Sequence, residues 1–466
     1  MTSLLGPGDY GIYALLTAFQ GFCGLFLINP VGQHINRHTH EWWDGGTLLT
    51  RLSGYDRYIW AVSAGIAAVV VIWWLVFPST EKNTEASIFA ALAVAGMVYL
   101  GTWNGTFIYI LNMLGYRRES VGWMTISSVI GLTSSAILAY QYHSAIAWIV
   151  GQAFGMAVGA LGSGLILRQK YKAQRHFERD AKEAATLLTW ETVFKYCLPL
   201  AAATGFMWMQ NTGYRFWVGG VWGVADLGIL AMGLGISSQL WLIVESLAMQ
   251  FLHPYFFRHI ADAKTDSEKA MVLSDMLNIM WPLYAVLAGF NVMFASSLLA
   301  VLTDSRYHSA IAFVTLGALV EFARCTTNLW SYAAQIQRRT QKVIVPYGLG
   351  ASVTWLGAMG AAYFGSDLKT LAIVLAISGA ITCAAMVALM LRTLPVVLDW
   401  RRWLSAGAIL ILSLVFTIIM PIRADSLREN ILLLFVGLLF LGICMGVFLW
   451  RASALERLLA VSLRGA

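Results

Sequence analysis

Thirteen apolar segments, each about twenty residues long or longer, leave this chain few ways to fold. An α-helix rises about 1.5 Å per residue, so about 20 apolar residues are needed to cross about 30 Å of hydrocarbon. The sequence is 59% hydrophobic and 12% charged, whereas charged residues make up about 25% of a soluble domain. We therefore predict an all-α polytopic membrane protein with thirteen transmembrane helices. The segments are Gly11–Val31, Tyr58–Phe77, Ala86–Leu114, Val121–Gln141, Ser144–Leu167, Val193–Tyr214, Leu227–Leu252, Met276–Leu302, Ala310–Ala334, Val343–Phe364, Leu368–Leu391, Trp403–Ile422 and Ile431–Trp450.

Lysine and arginine residues are distributed unevenly between the two sides that these segments define. If the first segment runs from the outside to the cytoplasm, 24 of the 31 lysines and arginines fall on the cytoplasmic side. Cytoplasmic loops carry an excess of these residues, so we predict this orientation. The net charge of +7 follows from the same asymmetry and gives no reason to expect a nucleic-acid partner. Membrane lipids are the expected surroundings.

Two pairs of matching stretches indicate that the chain contains a duplication. The stretch Leu5–Ala14 recurs in Gly223–Ala231, with the same Asp, Gly, Ile and Ala at positions 217 residues apart. A second stretch, Gly115–Glu119, is matched by Ile336–Thr340 at an offset of 221 residues. Because loops absorb small insertions whereas helices do not, two matches with nearly the same offset predict two copies of one helical unit.

The duplication predicts two pseudo-symmetric helical lobes followed by two additional helices. We place the N-terminal lobe at residues 1–168, a cytoplasmic linker at 169–192, the C-terminal lobe at 193–392, and the two additional transmembrane helices with the tail at 393–466. The segment Val193–Tyr214 precedes the repeated turn in the second half, but no such segment precedes it in the first half. We therefore expect that the first helix of a fourteen-helix arrangement is missing from this chain, either truly absent or lost to a misplaced start.

The opening of the chain resembles one group of membrane proteins in particular. Leu5–Leu15 reads LGPGDYGIYAL, and the segment after it ends in Asn29–Arg37, NPVGQHINR. These stretches and the two-half arrangement resemble bacterial polysaccharide flippases, the O-antigen and exopolysaccharide exporters of the multidrug/oligosaccharidyl-lipid/polysaccharide superfamily. The resemblance implies a multi-pass protein of the bacterial inner membrane. It would flip undecaprenyl-pyrophosphate-linked oligosaccharide by alternating access, alongside the machinery that assembles lipopolysaccharide or exopolysaccharide, and coupling to a proton or sodium gradient stays open.

Two other functions stay open on the sequence. A multidrug exporter of the same superfamily, coupled to a cation gradient, would use carboxylates without basic partners, and the basic residues inside the segments argue against it. A membrane polysaccharide polymerase or ligase would be expected to carry a large external loop, whereas the predicted external loops Pro78–Glu85 and Thr303–Ser309 are short. The sequence contains no GxSxG, HExxH or glycine-rich phosphate-binding motif, so we predict a transporter and not an enzyme.

Three ionisable residues within the apolar segments are the main candidates for a functional site. An ionised side chain at the membrane centre costs about 2.5–3.5 kcal/mol on insertion scales, so it usually faces an interior or a watery cavity. Glu321 and Arg324 are three residues apart on one helical face and can pair. This pair is either structural or a site in which Arg324 meets an anionic headgroup. Glu245 has no evident basic neighbour in the sequence and, with Glu321, is a candidate for proton or cation coupling.

Three further arginines are candidates for contact with an anionic substrate. Arg37, Arg215 and Arg258 flank helix ends close to the duplicated turns, where arginine is more commonly an interfacial residue. Asp9 and Asp226 occupy matched positions in the two turns, and a carboxylate there typically caps a helix and interacts with its dipole.

The sequence predicts no metal site and no cofactor. Four possible ligands, His34, His38, His40 and Glu41, fall within eight residues after Pro30. This spacing could bind zinc if the stretch is helical, but a solvated loop at the membrane surface is the better interpretation. The five cysteines lie singly within apolar segments and form no CxxC pair, which argues against a thiolate site.

Glycines and prolines predict two features of helix packing. Gly151, Gly155 and Gly159 repeat every four residues and predict a face on which another helix approaches closely. Pro30 and Pro282 lie within or at the end of apolar segments, where the missing N–H should interrupt or kink a helix.

Overall fold

The protein is described by a computed structural model that covers residues 2–76, 84–173, 195, 197–337, 339–419, 426–450 and 453–459. Every regular element in these residues is a helix, which confirms the predicted all-α fold. The α-helices are α1 Pro7–Phe22, α2 Asn29–Asp44, α3 Leu48–Val76, α4 Thr84–Met113, α5 Arg117–Tyr142, α6 Ala145–Ala173, α7 Leu198–Trp208, α8 Arg215–Val221, α9 Val224–Asp262, α10 Asp266–Met293, α11 Ala295–Leu302, α12 Ile311–Ile336, α13 Ile344–Tyr363, α14 Leu368–Leu391, α15 Trp400–Ile419, α16 Leu427–Trp450 and α17 Ser453–Leu459.

Twelve helical stretches of the described residues are long and apolar enough to cross a membrane. They correspond to twelve of the thirteen predicted segments. The remaining segment, Val193–Tyr214, begins outside the described residues, and its described part consists mainly of α7 and the π-helical turn Met209–Gly213. Most of the predicted linker at 169–192 also lies outside the described residues, which extend only to Ala173 at the end of α6.

The chain divides into two compact units, Met1–Gly228 and Ile229–Ala466. The lobe boundary at residue 193 stays a prediction, and α7 lies in the first of these two units. Two side chains of α7 explain this placement. The Thr204 hydroxyl donates to the carbonyl oxygen of Leu25 at 2.7 Å, and the Trp208 indole donates to that of Ala18 at 2.9 Å.

A π-helical turn, Cys23–Ile28, connects α1 to α2 and replaces the break expected at Pro30. Proline has no N–H to donate to the carbonyl four residues earlier, and the N–H of Asn29 bonds the carbonyl of Gly24 in the wider register. Carbonyl groups freed in such a turn need other donors. Thr204 supplies one, and the Tyr58 hydroxyl supplies another to Leu27 at 2.8 Å. The helix therefore continues through Pro30 to Asp44.

Helices α5 and α6 confirm the predicted close approach at small residues. An added Cβ would lie 2.3 Å from the Cα of Gly131 if built on Gly155, and 2.3 Å from the backbone N of Ser135 if built on Gly151. Serine hydroxyls complete the contact, since Ser127 donates to the carbonyl oxygen of Gly155 at 3.0 Å. Helix association in a membrane depends on this kind of packing, because lipid offers no hydrophobic driving force between helices.

We expect Gly155→Ala to destabilise the first unit by about 1–3 kcal/mol, because the new Cβ would meet main-chain atoms that no rotamer change can move. Thermal unfolding of the purified protein in detergent, followed by size-exclusion chromatography, measures the loss. Gly122→Ala on α5 is the matched control, since a Cβ there meets nothing within 4 Å. Equal melting temperatures for the two variants would contradict the proposed packing.

The second unit is built around α10, whose residues are buried almost without interruption from Leu273 to Val292. Helices α12, α15 and α16 pack against it. Polar side chains of α10 hold the segment that leads into α15: the amide oxygen of Asn278 accepts from the N–H of Asp399 at 2.9 Å and from the indole of Trp403 at 3.0 Å. Pro282 lies within α10, which continues past it to Met293, so the expected interruption does not occur.

Candidate functional site

Three charged side chains of the second unit meet between α9 and α12. Glu245 lies on α9, and Glu321 and Arg324 lie one turn apart on α12. The guanidinium Nε of Arg324 donates to Glu321 Oε2 at 2.6 Å, and its Nη2 donates to Glu245 Oε2 at 3.3 Å. The spacing on α12 predicted the first contact, and the packing of α9 on α12 adds the second. We call these three residues the charge cluster.

The expectation that Glu245 lacks a basic neighbour is wrong. Arg324 is 79 residues away in sequence, and only the packing of two helices brings the side chains together. The thiol of Cys325 adds a second donor to Glu245 Oε2 at 3.3 Å. Glu245 is therefore a hydrogen-bonded member of an ionic network and not an isolated carboxylate.

The charge cluster carries more negative than positive charge when both carboxylates are ionised. The side chains of Arg324, Glu245 and Glu321 are 25%, 20% and 11% exposed, so water screens them poorly. A buried charge without a partner is costly and is normally neutralised. One bound proton or one monovalent cation would balance the second carboxylate. The arrangement suits uptake of a cation better than direct binding of a phosphate, because both carboxylates already occupy the guanidinium.

Three tyrosine hydroxyls lie close enough to the charge cluster to interact electrostatically with Glu245. Tyr284 on α10 lies close enough to Glu245 and Arg324 to interact electrostatically, and its buried hydroxyl has no hydrogen-bond partner among the described residues. The Tyr332 hydroxyl is 2.8 Å from His253 Nε2, and the Tyr347 hydroxyl donates to the side-chain oxygen of Asn328 at 2.9 Å. Sequence reasoning could not identify these residues, since tyrosine is common at membrane interfaces and each lies on a different helix from Glu245.

The other candidate arginines lie outside the charge cluster. Arg37 is exposed on α2 and belongs to the first unit. Arg215 begins α8 in the same unit, where its Nη1 donates to the carbonyl oxygen of Ala14 at 3.2 Å. Arg258 is exposed on α9, thirteen residues after Glu245, which corresponds to about 20 Å along a helix. Among the candidate residues, the structure therefore brings together Glu245, Glu321 and Arg324.

The matched aspartates lie inside helices instead of capping them. Asp9 and Asp226 occupy the first turns of α1 and α9, where the positive end of the helix dipole favours a carboxylate. The N-cap position of α1 is Gly6, which has no side chain to cap it, and Pro7 follows it.

The histidine-rich stretch after Pro30 is helical and not a loop. His34 and His38 lie one turn apart on α2, with ring centroids 4.4 Å apart. No group of three or more His, Cys, Asp or Glu among the described residues is arranged to hold a metal ion.

Comparisons with known proteins show which family the sequence matches and which solved structures have a similar fold. A family model described as polysaccharide biosynthesis protein matches residues 1–312. A comparison with curated proteins gives no match. Three similar solved structures are the lipid II flippase MurJ in an inward closed conformation, an inward-facing multidrug resistance MATE family transporter of the MOP superfamily, and the eukaryotic MATE transporter AtDTX14.

The three structures share the fold at low sequence identity. MurJ has a TM-score of 0.60 and 12% identity over 94% of this chain and 97% of its own. The multidrug resistance transporter has a TM-score of 0.56 and 14% identity over 88% and 92%. AtDTX14 has a TM-score of 0.50 and 15% identity over 87% and 88%. Since the family model covers 312 of 466 residues, this chain belongs to the polysaccharide biosynthesis protein family whose model it matches.

Proposed function

We propose that the protein is a multi-pass transporter of the bacterial inner membrane that flips undecaprenyl-pyrophosphate-linked oligosaccharide to the outer leaflet for surface polysaccharide assembly. Membership in a polysaccharide biosynthesis family supports the class of substrate. A fold similar to that of a lipid II flippase supports movement of a lipid-linked molecule. The observation that supports gradient-coupled transport is the charge cluster, in which the buried carboxylate of Glu321 and the half-buried carboxylate of Glu245 share one guanidinium.

The charge cluster offers a physical route to coupling. With one proton or monovalent cation bound, the three side chains and the bound ion are neutral together, and the desolvation cost of the excess charge disappears. Without it, the cluster carries one uncompensated negative charge and favours a conformation that admits water. An ion gradient can drive a transport cycle when the conformational equilibrium of the protein depends on whether the cluster holds a bound ion.

A drug exporter coupled to a cation gradient is the second candidate. Two of the structurally similar proteins are MATE transporters, one of them a multidrug resistance transporter, and the excess negative charge of the cluster is compatible with a cationic ligand. The family match favours the polysaccharide substrate. A polymerase or ligase has no structural feature in its support among the described residues.

The experiment that tests the proposed substrate follows labelled lipid-linked oligosaccharide in a strain deleted for this gene. We expect single repeat units to accumulate on the cytoplasmic face of the inner membrane, with loss of surface polysaccharide. Accumulation on the outer face would indicate a polymerase or ligase. An unchanged glycolipid distribution together with new drug sensitivity would indicate a drug exporter.

We expect Glu245→Gln to uncouple transport from the ion gradient while the protein stays folded. The variant leaves Arg324 and Glu321 as a balanced pair, so the cluster no longer needs a cation. Transport into proteoliposomes should lose its dependence on an imposed pH or sodium gradient, with a rate near that of the wild type without a gradient. Asp262→Asn, an exposed position on the same helix, is the control. A Glu245→Gln variant with full gradient dependence would exclude Glu245 as the coupling residue.

A further inference from the structure

A cavity of about 650 Å³ lies between α3, α4 and α6 of the first unit, and none of the charge-cluster residues lines it. Its walls are mostly apolar and include Leu52, Leu100 and Leu161. The side chain of Leu161 is 68% exposed, so the cavity reaches the surface of the unit beside α6. A hydrocarbon chain of the surrounding bilayer has access to such a site.

A carboxylate and three aromatic rings give this cavity a polar end. Asp56 Oδ1 accepts from the Tyr99 hydroxyl at 2.6 Å and from the Trp103 indole at 3.0 Å. Its second oxygen, Oδ2, receives no hydrogen bond from the residues that the structure describes. The Trp103 ring stacks on Phe107 with centroids 4.6 Å apart, and all four side chains line the cavity. Sequence reasoning did not single out Asp56, because the predicted apolar segment begins at Tyr58, whereas the helix α3 begins at Leu48.

Arg168 on α6 lines the same cavity and supplies the opposite charge. Arg168 and Asp56 do not pair with each other, and neither forms an ion pair within the described part of the chain. Asp56 lies two turns from the start of α3, and Arg168 lies near the end of α6. The distribution of lysine and arginine assigns these helix ends to the cytoplasmic side. The cavity thus presents one anion and one cation at the polar end of an apolar pocket.

We propose that this cavity binds a bilayer phospholipid with a primary-amine headgroup, of the phosphatidylethanolamine type. The ammonium donates to the open oxygen of Asp56 beside the aromatic rings, which attract a cation through their faces. The phosphate accepts from the guanidinium of Arg168, and one acyl chain lies along the leucines. A pyrophosphate-linked carrier has no cation for Asp56. The bound lipid is therefore a component of the membrane and not the cargo, and the inference does not depend on the proposed function.

Native mass spectrometry of the purified protein with equal amounts of phosphatidylethanolamine and phosphatidylglycerol tests this inference. We expect the wild type to retain the ethanolamine lipid about tenfold better, the size expected for one charge-assisted hydrogen bond. Asp56→Asn should abolish the preference. The asparagine side-chain oxygen still accepts from Tyr99 and Trp103, so the melting temperature without added lipid should not change. Asp262→Asn is the matched control and should behave as the wild type.

Arg168→Gln provides an independent test that does not involve Asp56. It should weaken retention of both lipids equally, because both carry a phosphate, whereas Arg392→Gln, another exposed arginine, should have no effect. A wild-type protein without a headgroup preference would overturn the proposal. An Asp56→Asn variant that keeps the lipid preference would also overturn it. If that variant keeps the preference and loses gradient-driven transport, Asp56 is an ion-coupling residue and not a lipid ligand.

Discussion

Arg324→Ala should prevent the protein from accumulating in the membrane in a folded form. The substitution removes the only cation that contacts Glu245 and Glu321 among the described residues, and it leaves two carboxylates close together at low exposure. Removing one partner from a buried ionic network typically costs about 3–5 kcal/mol. Such a loss is a large part of the 5–15 kcal/mol that stabilises an average folded protein. Fluorescence-detected size-exclusion chromatography of the tagged variant, extracted from membranes, measures the folded fraction.

Neutral replacements distinguish a charge effect from a loss of packing. The triple variant Arg324→Gln, Glu245→Gln, Glu321→Gln keeps side chains of similar size without ionised groups. It should therefore recover most of the folded protein while remaining inactive in gradient-driven transport. Arg324→Lys should recover only part, because one ammonium group on a flexible stem does not reproduce the two-directional contact of a guanidinium. A single Arg324→Ala variant that folds as well as the wild type would show that the carboxylates carry no net charge in the folded protein.

The charge cluster shows how far the sequence alone can identify such a site. A spacing of three residues places Glu321 and Arg324 on one face of any helix, and the structure confirms their contact at 2.6 Å. The contact between Glu245 and Arg324 could not be predicted in this way, because it depends on how α9 packs against α12. Local spacing predicts contacts within a helix, whereas contacts between helices depend on the packing angle and on every side chain between them.

Twelve of the predicted segments correspond to helical stretches of the described residues, but the ends of these helices were less predictable. Hydropathy places the start of α3 at Tyr58, but the helix begins at Leu48, because polar residues within reach of the membrane surface can continue a helix without increasing its hydropathy. Pro30 and Pro282 show that a proline in the sequence does not always mark the end of a helix. A missing N–H leaves one carbonyl to be satisfied, and the wider π-helical register with donors from α3 and α7 compensates around Pro30. Neighbouring helices decide whether a proline ends a helix, and a single segment contains no information about them.

For the repeated turns, the sequence predicted which residues correspond to each other, but it did not predict that they would be in contact. Val224 begins α9 as Pro7 begins α1, and these residues are 217 positions apart, the offset between Gly11 and Gly228. A Cβ built on Gly11 would lie 1.9 Å from the carbonyl oxygen of Val224. One built on Gly228 would lie 1.8 Å from the carbonyl oxygen of Pro7. Each glycine thus contacts the first residue of the other copy, and the two contacts are related by the duplication.

Gly11→Ala and Gly228→Ala should each strongly reduce the amount of folded protein, and to a similar extent. The added methyl group would overlap a main-chain carbonyl, which can be relieved only by separating the two helix starts. Overpacking usually costs about 1–3 kcal/mol, and we expect the upper end of this range because no flexible side chain is available to move. The melting temperature of the purified protein measures the effect. Gly8→Ala is the control on the same turn of α1, since a Cβ there meets nothing within 4 Å, and it should be close to neutral.

The double variant Gly11→Ala, Gly228→Ala should be less destabilised than the sum of the two single variants. Both clashes occur at one crossing, between the first turns of α1 and α9. Helix starts moved apart to make room for one methyl group also make room for the other, and neighbouring sites that share a backbone shift are not additive. Additive losses would instead mean that the two contacts relax independently, and a large loss in only one single variant would mean that the duplication left no reciprocal contact. The sequence match alone does not distinguish these outcomes, because it fixes which residues correspond and not whether they touch.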